Sequence, residues 1–310
     1  MIQIDDAGSG SLIGGTGIGI LDTRNNKYYF EIIPLEYYQT ELFYQKAYQD
    51  YVVDIIKRGF KKINVTKDRE IEVCQGYMFD KLRDWLSKND YNWKSTKIEG
   101  PLQHKVEESF NQYVINLGLP KAFIKHARYA FGFHRLLKWV FADLDNRQKL
   151  CKTQWKSWQK WGHIEKSIYK NTLTYQDYCL KCGKKIDINL DVITIEYITN
   201  KPATINLHKS CYKGQLNQVP PIFLHDLCLM IKVRKKIITK LNPKSNQNLY
   251  LKTKENKVNI LDNRGEILGS LNNKLGEKLA FWLNKGFNWH CILKDFSDNN
   301  FLVLAQIKNL

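Results

Sequence analysis

Apolar and polar positions alternate from Met1 to Ile4 and break at Asp5, where a stretch rich in Gly and Ser begins (Gly8, Ser9, Gly10, Gly14, Gly15, Gly17). A second apolar run ends at Leu21 and a third covers 28–35. Runs of period two separated by turn residues predict strands, here an antiparallel meander of three. From 37 to 60 the apolar spacing becomes helical, 70–74 reads as a short strand, 79–87 as a helix and 91–98 as another strand. Two more helices follow, 101–117 and 121–150. Gly100 and Pro101 open the first of them, as suits a cap and a first helical position.

Beyond about residue 170 the pattern changes. Residues 170–230 are strand-rich and carry spaced cysteines, and 232–246 form a basic stretch (Lys232, Arg234, Lys235, Lys236, Lys240, Lys244) with Asn242, Pro243 and Ser245 near its end. Residues 247–310 show short β runs around one helix, 275–283, and no segment repeats another. The chain divides into 1–168, 169–231 and 232–310. Its fold class is α/β, a mixed sheet with helices followed by a small cysteine-bearing region and a small β-rich domain.

A composition of 43% hydrophobic and 25% charged residues over 310 positions supports packed cores and excludes the disordered, collagenous and disulfide-scaffold classes. No run approaches the ~18 apolar residues of a membrane-spanning helix, and the first residues lack the order of an export signal. A cytoplasmic location is the expectation. The 48 Lys and Arg against 31 Asp and Glu leave +17, which draws polyanions before any specific contact forms. Nucleic acid is the expected partner, and a membrane is not. The alternative is a compositional bias toward Lys, Asn and Ile that raises the charge by itself.

Asp5 and Asp6 end the first strand and run at once into Ala7-Gly8-Ser9-Gly10. Carboxylates there project from a strand end, and the glycines let a phosphate backbone approach. A solvated Asp-Gly turn is the plainer reading. The motif resembles the Asp-Glu-Ala-Gly-Arg-Gly signature of type 2 ribonucleases H, with Asp6 for Glu and Ser9 for Arg. The order of meander, helices and strands is likewise that of the ribonuclease H-like fold. The resemblance implies metal-dependent hydrolysis of phosphodiesters with Mg or Mn held by the acids, Asp5 first.

Two-metal cleavage needs further acids, because two ions about 4 Å apart must be held from several elements. Glu41 lies on the helical stripe of Tyr44, Tyr48, Val52, Ile55 and Ile56, at a place comparable to the helical glutamate of the ribonuclease H family; a role at the helix dipole is the alternative. On the helix 101–117, Leu102, Val106, Phe110, Tyr113 and Leu117 make the buried stripe, Glu107 flanks it and Glu108 points away. Catalytic acids are therefore expected to be Asp5, Asp6, Glu41 and Glu107, with Glu99, Asp143 and Asp145 as lesser candidates. The family's fourth strand normally ends in an aspartate, and the run Ile71 to Tyr77 offers none at that place. A nucleic-acid-binding protein without catalysis is accordingly the alternative function.

Residues 121–170 hold twelve Lys and Arg against three acids, interleaved with Trp139, Trp155, Trp158 and Trp161. Cations neutralise phosphates and aromatic faces stack bases, so Lys152, Trp155, Lys156, Trp158 and Lys160 are candidate nucleic-acid contacts, core packing of the tryptophans being the alternative. Cys179-x2-Cys182 is followed by His208-x2-Cys211, two chelating pairs that give four ligands to a closed, structural zinc site, with Gly183 after the first pair. This resembles a treble-clef or LIM-type knuckle. The stretch 258–271, which includes Ile267-Leu268-Gly269-Ser270-Leu271, together with the stretch 279–286, resembles the HIRAN domain, which implies a small β module that holds single-stranded DNA ends.

Overall fold

Five strands form the sheet that carries the acidic motif: β1 (Ile2–Ala7), β2 (Thr16–Asp22), β3 (Lys27–Ile33), β4 (Ile71–Cys74) and β5 (Trp93–Thr96). Their order is β3-β2-β1-β4-β5. β1 runs antiparallel to β2 and β2 to β3, whereas β4 is parallel to both β1 and β5. Asp5 and Asp6 thus lie on the central strand and inside it, since β1 runs one residue past the Asp6 expected to end it. The computed structural model describes residues 1–127, 130–233, 244–254, 257–297 and 300–308. Most of the basic stretch, including Arg234, Lys235, Lys236, Lys240, Asn242 and Pro243, lies outside the described residues.

Helix α1 (Ala47–Ile63) covers one face of this sheet and α3 (Pro101–Asn116) the other, with α2 (Asp80–Lys88) packed beside α1. Ile2, Ile4, Ile18 and Ile20 face α1 and share a core with Val52, Ile55, Ile56 and Phe60. On the opposite face α3 sits so close that a Cβ at Gly19 would meet Val106 at 2.1 Å. The helix expected over 37–60 is broken. Two short 3-10 turns (Leu35–Tyr38 and Glu41–Phe43) precede Lys46, whose left-handed backbone (φ +55°) no helix can run through, and α1 starts only after it. The helix expected over 121–150 is likewise divided, into α4 (Ile124–Ala127), α5 (Phe133–Phe141) and α6 (Leu144–Arg147), with α7 (Lys156–Trp161) beyond.

By internal contacts the chain forms two compact units, Met1–Ile164 with the turn Cys179–Lys184, and Glu165–Tyr178 with Lys185–Leu310. The second contains two larger sheets. β6 (Ser167–Thr172), β9 (Asp191–Ile198) and β10 (Pro202–His208) form one, in the order β10-β9-β6, and β7 (Asp177–Tyr178) with β8 (Lys185–Ile186) makes a small hairpin. β11 (Asp226–Lys232), β12 (Asn248–Lys254), β13 (Lys257–Leu261), β14 (Ile267–Leu271), β15 (Trp289–Ser297) and β16 (Asn300–Ile307) form the other, in the order β11-β16-β15-β12-β13-β14, with α8 (Lys274–Asn284) packed on β12 and β13. β11 pairs along its whole length with β16, so the β-rich C-terminal region takes in residues before 232. No helix among the described residues is long and apolar enough to cross a membrane.

Candidate metal centres

Neighbouring residues of a strand face opposite ways, so Asp6 points to the α1 side with Ile2 and Ile4, and Asp5 to the α3 side with Gln3. At the strand end the two carboxylates nevertheless converge with the thiol of Cys74, the last residue of β4, and one ligand atom from each lies within 4.8 Å of the others. Asp5 is buried and accepts hydrogen bonds from the Asp6 backbone N–H at 2.9 Å and from the Cys74 thiol. Burial pushes its carboxyl up to about 6, the thiol opposing and the neighbouring Asp6 charge adding to the rise. Asp6 is also raised by burial, against hydrogen bonds from the Ser9 hydroxyl and backbone and the charge of Lys152. Loss of solvent, the Asp5 charge and the hydrogen bond to Asp5 push the Cys74 thiol up to about 12, with a backbone hydrogen bond at Gly76 opposing.

The turn after β1 is held from a distant part of the chain. Gly8 has φ +83°, and a Cβ on it would strike the Phe110 ring at 2.1 Å, so only glycine fits between the motif and α3. Lys152 is fully buried and its ammonium donates to the carbonyls of Gly8 at 2.6 Å and Ser11 at 3.0 Å. The rings of Tyr38 and Trp155 each stand 4.8 Å from the same nitrogen. Burial lowers this lysine to about 7, with the Asp6 charge opposing. The backbone is stapled as well, Lys152 N–H to Leu12 carbonyl at 2.9 Å and Gly14 N–H to Leu150 carbonyl at 2.9 Å.

Several expected site residues are elsewhere. Glu41 is exposed on its 3-10 turn, because the helix that was to carry it inward does not form there. Tyr44, on the same expected stripe, is 60% exposed. Glu107 is half-buried on the flank of α3 and Glu108 exposed, as the helical stripe predicts, but Glu107 does not join the group of Asp5, Asp6 and Cys74. Glu99 is exposed and paired with Lys97. Asp143 is bound to Lys181 at 3.0 Å, beside an Arg147 that donates to the carbonyls of Leu180 and Lys181, and Asp145 is exposed.

The four residues of the expected knuckle do come together. Cys179, Cys182, His208 and Cys211 offer atoms that all lie within 4.8 Å of one another, a set that could hold a metal ion such as zinc. Gly183, with φ +75°, turns the chain after the first pair, and its N–H donates to the Cys179 carbonyl at 2.7 Å. His208 Nε2 donates to the Lys185 carbonyl at 3.1 Å, which leaves Nδ1 toward Cys211 Sγ, 4.0 Å away. Ligands on a tetrahedral zinc would stand about 3.6 Å apart, so a small contraction closes the set. The carbonyl partner fixes the ring tautomer, as an outer partner of a metal-bound histidine does.

The basic surface is narrower than its sequence suggests. Lys156 and Lys160 are exposed and Trp155 half-buried, but Trp158 is 1% exposed and belongs to the core, as does Trp139. Lys152 is no surface cation at all. No family model matches the chain, and no curated protein matches it.

Sequence reasoning missed Cys74 and misassigned Lys152. Cys74 was legible in part, since it is the residue at which the fourth strand stops. Nothing in the local pattern around Lys152 separates it from the surface lysines that follow, because its acceptors are backbone carbonyls more than 140 positions away.

Proposed function

We propose that the protein is a metal-dependent nuclease that hydrolyses nucleic-acid phosphodiesters at the end of β1. The observation that carries this reading is the convergence of Asp5 and Asp6 at the close of the central strand, in a sheet ordered β3-β2-β1-β4-β5 with β2 alone antiparallel to both its neighbours. That order, together with the Asp-Asp-Ala-Gly-Ser-Gly motif, supports a ribonuclease H-like core. A divalent ion, Mg or Mn, held by Asp5 and Asp6 would polarise the phosphoryl oxygens and lower the pKa of the attacking water. Among the described residues the donors to Asp5 are neutral, the Cys74 thiol and the Asp6 N–H, which leaves its charge to a cation. Lys156, Lys160 and Trp155 supply a sequence-independent hold on the strand. Zinc in the Cys179, Cys182, His208 and Cys211 set is structural, since four protein ligands leave no open position. The β-rich C-terminal region, on its HIRAN-like stretch, serves to hold a single-stranded end. Action in the cytoplasm suits cysteines that form no disulfide among the described residues.

Incubation of the protein with single-stranded, duplex, hybrid and branched substrates, with Mg²⁺ or Mn²⁺, tests this. Metal-dependent cleavage that Asp5→Asn abolishes is the expected result, and no cleavage of any substrate would overturn it. A specific observation favours a second reading, binding without cleavage: β4 ends in Cys74 where the ribonuclease H family carries an acid, and Glu41 is turned outward. In that case nucleic acid is bound, and salt weakens the binding steeply, with no product formed.

A further inference from the structure

Two divalent ions bring four positive charges to a site, and a carboxylate-poor cluster cannot balance them. The group at the end of β1 contains two carboxylates and one thiol, and an ammonium is built in beside it: Lys152 is fully buried, hydrogen-bonded to Gly8 and Ser11 in the turn that leaves Asp6, and acted on by the Asp6 charge. Asp5, by contrast, receives neutral donors among the described residues, the Cys74 thiol and the Asp6 N–H. With all three groups ionised, two carboxylates and one ammonium sum to a formal −1, and the ammonium offsets the Asp6 charge rather than that of Asp5.

We propose that Lys152 is a positioning residue that stands in place of a second metal ion, so that this centre takes one divalent cation, bound chiefly at Asp5. The inference rests on the metal-site reading above. The lysine does two things at once. It fixes the Gly8 to Ser11 turn that follows Asp6, and its ammonium brings a positive charge to the Asp6 side of the cluster. Its position, out of solvent and enclosed by Tyr38 and Trp155, gives it no path to a substrate, so it acts through the acids and not on the reacting atoms.

The test is a titration of zinc-loaded full-length protein with Mn²⁺, followed by electron paramagnetic resonance, with Asp5→Asn as the control that identifies ions bound at the cluster. The expected result is one Mn²⁺ that Asp5→Asn loses. Lys152→Met should then bind that ion more tightly, by about tenfold, because a neutral side chain leaves the carboxylates with an uncompensated charge. A residue with a purely structural role predicts the opposite, since loosening the turn disorders Asp6 and weakens the ion. Two Mn²⁺ lost with Asp5→Asn, no Mn²⁺ at Asp5, or unchanged or weaker binding in a folded Lys152→Met protein would each overturn the inference. Should Lys152→Met not fold, the stoichiometry of the unaltered protein decides alone. Cleavage is measured separately: one ion without cleavage removes the nuclease reading and leaves this inference, whereas two ions with cleavage do the reverse.

Discussion

Lys152 Nζ lies 2.6 Å from the carbonyl oxygen of Gly8, a residue 144 positions earlier in the chain. A cation at that place cannot be exchanged for a surface one, and the neighbouring lysines behave differently. Lys156→Glu with Lys160→Glu should leave the melting temperature within about 2 °C and weaken nucleic-acid binding for all sequences alike. Lys152→Glu should cost more than about 3 kcal/mol, because it places a buried anion against two carbonyls and Asp6. Thermal melts and a salt-dependent binding curve check both halves.

Burial pushes the Asp5 carboxyl up to about 6 in the fold, from the 3.8 of an ordinary aspartate in the unfolded chain. A raised carboxyl favours the protonated form in the fold, so ionisation costs stability that is lost progressively as the pH rises from about 4 through 6 and stays lost above. The ceiling is on the order of 3 kcal/mol. Asp5→Asn should therefore be more stable than the unaltered protein at pH 8, with an advantage that shrinks as the pH is lowered toward 4. Urea midpoints across that range measure it, and a constant difference would count against the buried carboxyl.

Cleavage should separate the acids. Asp5→Asn should lower the metal-dependent rate by at least about 100-fold with binding retained, since it removes the ligand charge but not the basic surface. Glu41→Gln, exposed on its 3-10 turn, should change the rate less than about twofold. A large loss with Glu41→Gln would mean that the outward position of Glu41 is not the working one.

Elemental analysis should find one zinc per chain in protein purified without chelator, and Cys182→Ser should reduce it severalfold. Removal of the ion by a strong chelator should unfold the turn between β7 and β8, seen as faster amide exchange there.

Glu196 of β9 is fully buried and is hydrogen-bonded by Tyr169 at 2.8 Å, by Thr204 at 2.8 Å and by Lys278 of α8. Lys278→Met should cost about 3–5 kcal/mol, as it leaves a buried charge without its cation, and adding Glu196→Gln should recover much of that loss. Denaturation of the two single variants and the double variant gives the coupling.

The order and type of the elements around the acids could be read from the chain because β1 to β5 are short alternating or apolar runs bounded by turn residues, a local signal. The cluster of Cys179, Cys182, His208 and Cys211 could be read because its residues come in two short-range pairs. Glu41 could not, since a helical stripe says which residues would share a face but not that Lys46 adopts a left-handed backbone and stops the helix. Lys152 and Trp158 were misread for a related reason. A basic, aromatic stretch has the same composition whether it faces phosphates or closes a core, and only the long-range bonds to Gly8 and Ser11 distinguish them.

The staple between residues 12–14 and 150–152 has a consequence for synthesis. Chain growth is vectorial, so the acids of the first strand leave the ribosome early, yet the turn that aims them waits for Lys152 to emerge. Until then the nascent segment carries Asp5 and Asp6 on an unfinished loop. Competence of the centre thus arrives late in translation, as a property of the nearly complete first unit and not of its opening strands.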